Sequence, residues 1–258
     1  MTLSLVLVLC VLALLCVAGV LVVRKFGISS DDSDGAIGTL IAPCVLSIYL
    51  IAMAMGLVIG WENNQGAGDG LTDEAATATA LYWSTGALPE EQGARVRADL
   101  RDYLETSVRD DWPRMRERAL SPEGDTALQR LRTSVHAIDT GDDPAAALDR
   151  LTARQEVADL AAQRVQRADA AGSEIPRVVT LAATVSALAV VVLPFGMGVR
   201  GSRTRIFWAL LNLVFVAATV VLLLYLDNPY TGALAIGPDA LTAALEGFDR
   251  IDAAIGAG

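Results

Sequence analysis

The chain is poor in the residues that do chemistry. In 258 residues it has one histidine, His136, one lysine, Lys25, and three cysteines, Cys10, Cys16 and Cys44. The cysteines all fall in the first 44 residues, within apolar sequence. A disulfide framework or a thiolate metal site elsewhere in the chain is therefore excluded. With a single histidine, the common base-plus-nucleophile and metalloprotease patterns are absent: there is no Gly-x-Ser-x-Gly and no His-Glu-x-x-His. Basic residues are outnumbered, 20 against 30 acidic, for a net charge of −10. That balance argues against a nucleic-acid partner, which requires a basic surface. No cofactor is expected, and the sequence is not read as an enzyme.

Charge is also missing from four long stretches. Residues 3–23, 37–59, 178–199 and 206–226 contain no Asp, Glu, Lys, Arg or His. Each is long enough to cross a bilayer, for which roughly 20 apolar residues suffice. The apolar fraction is 53% and the mean hydropathy +0.45, high for an ordinary soluble domain. The fold class expected is an all-α membrane protein of four transmembrane helices. Two are N-terminal, in residues 1–60, and two are C-terminal, in residues 177–226. They flank a polar helical region at 61–176, and a short tail at 227–258 follows. The first run is read as a retained span, because no basic residue precedes it and it exceeds a signal-peptide core.

The polar region holds most of the charge. Residues 62–70, Glu-Asn-Asn-Gln-Gly-Ala-Gly-Asp-Gly, read as a flexible stretch, with Thr72 capping a helix after it. Pro89 with Glu90 and Glu91 marks a helix start. Val96, Leu100, Tyr103, Leu104, Val108, Trp112 and Met115 recur at helical spacing, with Pro113 expected to kink or restart the helix. Leu128, Leu131, Val135 and Ile138 form a second stripe. Asp143-Pro144 caps a long helix whose apolar face is read as Leu148, Leu151, Ala158 and Val165. The carboxylate pairs Glu90-Glu91, Asp110-Asp111 and Asp142-Asp143 read as helix starts or solvated surface. Asp31, Asp32 and Asp34 fail the calcium-loop pattern, since Ile41 stands where a bidentate Glu is required.

Within the apolar runs a few residues stand out. Asn212 is the strongest polar side chain; it can bond a neighbouring helix or line a pore. Pro194 is placed to kink the third span. Ala52, Gly56 and Gly60 form a small-xxx-small ladder that admits close helix packing. Arg24, Lys25, Arg200, Arg203 and Arg205 lie in or beside the two short linkers, which the positive-inside rule puts in the cytoplasm. The chain is then a multi-pass protein of the cell membrane with residues 61–176 extracytoplasmic. Arg164, Arg167 and Arg177 are the counter-signal.

An ordered set of motifs completes the reading. Glu74-Ala75-Ala76-Thr77-Ala78-Thr79-Ala80-Leu81 is followed by Leu88-Pro89, Arg95-Val96-Arg97, Leu100 and Tyr103. Asp111-Trp112-Pro113-Arg114-Met115 comes next. After the fourth run stand Leu226-Asp227-Asn228-Pro229-Tyr230-Thr231-Gly232, then Ile236 and Pro238. In this order they resemble the bacterial bestrophin-like membrane family, a domain of unknown function that is remotely similar to the bestrophin anion channels. The resemblance implies a homo-oligomer in the lipid bilayer that conducts chloride or another anion. It makes Asn212, Pro194, Asp227, Asn228, Pro229 and Tyr230 candidates for a pore or gate. It also implies a cytosolic middle region, opposite to the charge argument. Thr231-Gly232-Ala233-Leu234 supplies no acidic run, so a calcium clasp is not expected. The alternative function is a non-conducting, membrane-anchored module that binds a protein partner or senses the envelope.

Overall fold

The computed structural model describes residues 32–196, 203–232 and 234–255. Among them every regular element is helical. In chain order the α-helices are α1 (Asp32–Ser84), α2 (Glu90–Thr106), α3 (Trp112–Met115), α4 (Pro122–His136), α5 (Pro144–Gly172), α6 (Arg177–Gly196), α7 (Arg203–Leu226) and α8 (Asp239–Ile255), with a 3-10 turn at Thr85–Ala87. The chain divides into two compact units. One takes in Met1–Glu62 and Glu174–Asp227, the other Asn63–Ser173 and Asn228–Gly258.

The first unit is built from the start of α1 with α6 and α7. Tyr49, Ala52, Met53, Ala183, Ala187, Val216 and Leu223 make its core. Its outward side chains are just as apolar: Ile51, Met55, Val58, Val178, Leu181, Val185, Val214 and Phe215 are all more than half exposed. A helix that is apolar all round suits lipid rather than water. Among the described residues two helical stretches are long and apolar enough to cross a membrane, Ala42–Ala87 and Pro144–Val192. Only 22% and 33% of their apolar windows are buried, well short of the core helix of a soluble protein. Leu210–Leu226 is a shorter apolar helix. The run at 3–23 lies outside the described residues.

The packing in this unit depends on small residues. A Cβ on Gly60 would sit 2.7 Å from Leu226 Cβ and 3.2 Å from the Leu226 carbonyl oxygen. On Gly56 it would sit 2.7 Å from Leu223 Cδ1. Glycine at these positions lets α1 and α7 approach closely. Tyr49 Oη and Thr219 Oγ1 share a hydrogen bond of 2.5 Å between the same helices.

The second unit is a helical bundle with a continuous core. Leu81, Tyr82, Val96, Leu100, Tyr103, Leu104, Leu131, Val135, Leu160 and Phe248 are all at most 1% exposed. Of the expected stripes, Val96, Leu100, Tyr103 and Leu104 on α2, Trp112 and Met115 beyond it, and Leu128, Leu131, Val135 and Ile138 in and after α4 are buried, while Val108 is half-buried. Asp143 caps α5, its carboxylate accepting from the Ala145 N–H at 2.9 Å. Ser121 caps α4 in the same way, accepting from the Gly124 N–H at 3.0 Å, with Pro122 at the first helical position. Ahead of Pro113 the chain widens into a π-helical turn, Ser107–Asp111, before α3 begins.

Three expectations are corrected. Residues 62–70 are not a flexible stretch: α1 runs through them without a break. Ala67, Leu71, Ala75, Ala78 and Leu81 bury one continuous face there, and that burial outweighs the helix-weakening glycines. Thr72 is accordingly no cap; its hydroxyl donates to the Gly68 carbonyl inside the helix. On α5, Leu148, Leu151, Ala158 and Val165 are exposed, and the buried line is Ala153, Val157, Leu160, Arg164, Arg167 and Ala171. The tail contains an amphipathic helix, α8, which buries Leu241, Ala244, Phe248 and Ile251. Phe248 stacks on Tyr82 at 3.9 Å between ring centroids.

Candidate functional site

The most concentrated chemistry lies inside the second unit. Two carboxylates, Glu74 on α1 and Asp111 at the end of the π-helical turn, are fully buried, each 0% exposed. Two guanidinium groups from α5, Arg164 and Arg167, are buried against them at 3% and 5% exposure. Helical spacing of three puts both arginines on the inward line of α5.

Asp111 is the hub. Its carboxylate accepts from the Ser121 N–H at 2.9 Å and the Ser121 hydroxyl at 2.7 Å. It also accepts from both terminal nitrogens of Arg164 and, at 3.0 Å, from Arg167 Nη2. Arg164 reaches outward as well, its Nε donating to exposed Asp125 at 2.9 Å and its Nη2 to the Ser121 carbonyl at 2.9 Å. Glu74 accepts a 2.5 Å bond from the Tyr103 hydroxyl and lies 3.4 Å from Arg167 Nε. Two positive and two negative groups thus cancel in an interior that would not hold either sign alone.

The charges are fixed by this pairing. Burial pushes the Asp111 carboxyl up, but the Arg164 hydrogen bonds and the Arg167 charge outweigh it, and it sits below its ordinary value. Burial opposes the positive charge on Arg164 and Arg167. The carboxylates facing them prevail, Asp111 for Arg164 and Glu74 for Arg167, and both stay above their ordinary values. Burial, then the charge on Glu74, drives the Tyr103 hydroxyl far up, so it remains a donor. Gly124 makes room for the cluster: a Cβ there would stand 2.6 and 2.7 Å from the Arg164 terminal nitrogens and 2.8 Å from Asp111 Oδ1. The cluster ties α1, α2, α4 and α5 together electrostatically. It presents no activated nucleophile, and among the described residues no group of three His, Cys, Asp or Glu could hold a metal ion.

The residues singled out in the sequence do not converge on one place. Asn212 donates from α7 to the Val190 carbonyl of α6 at 3.3 Å. Pro194 lies near the end of α6. Ala52 is buried, and Gly56 and Gly60 face Leu223 and Leu226. Asp227 accepts from the Ile175 N–H at 3.1 Å, joining the end of α7 to the residues before α6. These all belong to the first unit. In the second, Asn228 is buried and its side-chain oxygen accepts from the Tyr230 N–H at 2.9 Å. The Pro229 carbonyl accepts from the Ile236 N–H at 2.9 Å. Tyr230 is buried edge-on against Trp112 with centroids 5.7 Å apart, and burial pushes its hydroxyl up to about 12.

The buried tetrad escaped the sequence reading, which put Asp111 with the solvated pairs and noted Arg164 and Arg167 only for their charge near the third span. One signal was available. Val157, Leu160, Arg164, Arg167 and Ala171 follow one another at alternating spacings of three and four, so the arginines lie on an otherwise apolar line.

Comparison with known proteins places these observations. The chain is similar to crystal structures of a bacterial Bestrophin homolog from Klebsiella pneumoniae in two mutant forms. The TM-scores are 0.65 and 0.57, each at 12% identity, covering 99% of this chain and 100% of the other. At that identity the likeness establishes a shared fold. No curated protein matches the chain. A family model described as the Bestrophin-like domain matches residues 9–241. This chain belongs to the Bestrophin-like domain family.

Proposed function

We propose that this protein is an oligomeric ion channel of the cell membrane, with its four apolar runs crossing the bilayer as helices. The observation that carries the reading is the first unit's outer surface. In a chain of this family, its helices turn Ile51, Met55, Val185 and Val214 outward, which suits a lipid boundary. Four helices of one copy leave no room for an aqueous path, so conduction requires several copies around an axis.

The length of α1 makes it the natural pore lining. Beyond Trp61 its exposed face carries Gly66, Asp69, Asp73, Ala76 and Ala80, small enough to leave a lumen between copies. The family resemblance favours an anion such as chloride. A second reading, cation conduction, is favoured by Asp69 and Asp73, since rings of carboxylates select cations. The positive-inside distribution supports an extracytoplasmic residue 61–176 region.

The test is ion efflux from liposomes containing the purified chain, read separately for chloride and sodium, with the particle mass measured on the same sample. Efflux from a ring-sized particle supports the channel, and the ion that moves separates the two readings. Silence from a folded, ring-sized sample would favour a non-conducting, partner-binding module. Protease cleavage within residues 61–176 on intact cells decides the orientation.

A further inference from the structure

The second unit gives way to an apolar run at three points along the chain. Asn63 follows Ile59, the end of the second run, by four residues of unbroken helix, about 6 Å. Ser173 precedes Val178, the start of the third, by five residues, at most about 18 Å of chain. Tyr230 follows Leu226, the end of the fourth, by four residues. The short segment from α3 to α4 touches the second and third of these points. Trp112 meets the Tyr230 ring edge-on, and Arg118 donates from Nη1 to the Ser173 carbonyl at 2.6 Å. Beside the first point, Asn64 Nδ2 donates to the Leu234 carbonyl at 3.3 Å. Leu234 itself is 46% exposed, an uncovered apolar side chain on a polar unit.

This segment is basic in a unit that is acidic overall. Residues 112–120 carry Arg114, Arg116 and Arg118 against one acid, Glu117. Elsewhere on the unit Arg95, Arg101, Arg109 and Arg130 each face a carboxylate. Arg114 and Arg116 are exposed and have no acidic partner among the described residues. The turn that presents them is held from both sides. The Arg118 N–H donates to the Met115 carbonyl at 3.1 Å, and the Ala119 N–H to the Arg114 carbonyl at 3.2 Å. Arg118 adopts a φ of 64°, a left-handed conformation that costs a residue with a side chain. Its bond to Ser173 retains it there. Guanidinium groups suit phosphate oxygens, which accept parallel N–H bonds from one arginine. Two of them, unpaired and within a few residues of chain from three run ends, match the charge of a phosphodiester at a bilayer surface.

We propose that Arg114 and Arg116 bind the headgroup of an anionic phospholipid. The partner is the lipid rather than free phosphate, because exposed Leu234 at the same end of the unit offers an apolar contact that only an acyl chain uses. The inference rests on the reading that the apolar runs cross the bilayer, and it names the lipid class that the second unit selects.

The experiment uses the full chain in a neutral detergent, titrated with phosphatidylglycerol or phosphatidylcholine, with bound lipid counted by native mass spectrometry. Wild type is compared with Arg114→Gln/Arg116→Gln and with a charge-matched control, Arg132→Gln/Arg250→Gln. All four arginines are exposed, so helix content should stay at the wild-type value in both variants. Wild type is expected to prefer phosphatidylglycerol. The first variant should bind it roughly 30-fold more weakly, about fivefold for each arginine near an anionic surface, and the control should keep the wild-type preference. Glycerol 3-phosphate at matched ionic strength should not displace the lipid. Equal binding of the two lipids by wild type, an unchanged preference in the first variant, or an equal loss in the control overturns the proposal. Displacement by glycerol 3-phosphate also overturns it, since the ligand is then a soluble phosphate. Efflux is read in parallel. Efflux without a lipid preference removes the lipid site and leaves the channel. A lipid preference in a ring-sized particle without efflux removes the channel and leaves the site.

Discussion

Replacing Asp111 with Asn is an isosteric change with a large expected cost, because Asp111 is fully buried between two guanidinium groups. The amide keeps the volume but loses the charge facing two guanidinium groups. Asp111 accepts from Ser121 twice, from both terminal nitrogens of Arg164 and from Arg167. Asn offers one oxygen, and its NH2 group points a donor at groups that are themselves donors. Arg164 keeps exposed Asp125, and Arg167 keeps Glu74. Breaking one partner out of a buried ionic cluster costs about 3–5 kcal/mol, because the opposite charge stays buried. At about 2–4 °C per kcal/mol for a domain of this size, the melting temperature should fall by roughly 6–20 °C. The exposed Arg130–Asp102 pair supplies the contrast. Its partners are 56% and 43% exposed, and Arg130→Ala should cost less than about 1 kcal/mol. The pH dependence follows from the sign of the shift. The folded-state pKa of Asp111 is depressed, so its contribution is complete above the ordinary carboxylate value of 3.8 and is lost as pH falls below it. Wild type should therefore lose stability in acid more steeply than Asp111→Asn. Thermal melts by circular dichroism at neutral pH and near pH 3 decide the matter. An Asp111→Asn melting temperature within about 2 °C of wild type at neutral pH would refute the electrostatic account.

Other substitutions separate the close contacts from the open ones. Gly60→Ala should destabilise by about 1–3 kcal/mol, because its Cβ meets the Leu226 backbone and Cβ. Gly66→Ala meets nothing within 4 Å and should stabilise α1 by about 0.5–1 kcal/mol; denaturant titration of the pair should give opposite signs. Phe248→Ala removes a fully buried ring stacked on Tyr82 and should cost about 3–5 kcal/mol, with amide exchange rising throughout α8. Trp112→Ala should cost a similar amount, about 3–5 kcal/mol, read as a lower melting temperature. It should also release the Tyr230 ring, seen as greater tyrosine exposure in solvent-perturbation spectra.

Most of the helices were legible because their signals are local. Pro144 after Asp143 and the Leu128, Leu131, Val135 stripe are set within one turn or two, and the structure uses them as read. Residues 62–70 were misread for the same reason. Local glycines suggest a break, while the face that keeps α1 helical is buried by residues distant in sequence. On α5 hydrophobicity pointed to the wrong line. Leu148 and Val165 outrank Arg164 and Arg167 on any apolar scale, yet the arginines are inside because Glu74 and Asp111, dozens of residues away, neutralise them. Partners that far apart leave no periodic trace. The α8 helix was overlooked although Leu241, Ala244, Phe248 and Ile251 recur at helical spacing in the tail.

Conduction is the central claim, and a planar-bilayer recording of the purified protein in a salt gradient addresses it most directly. The account predicts discrete current steps with a reversal potential displaced from zero, its sign naming the favoured ion. A silent bilayer, from protein that is folded and ring-sized by mass, would contradict it.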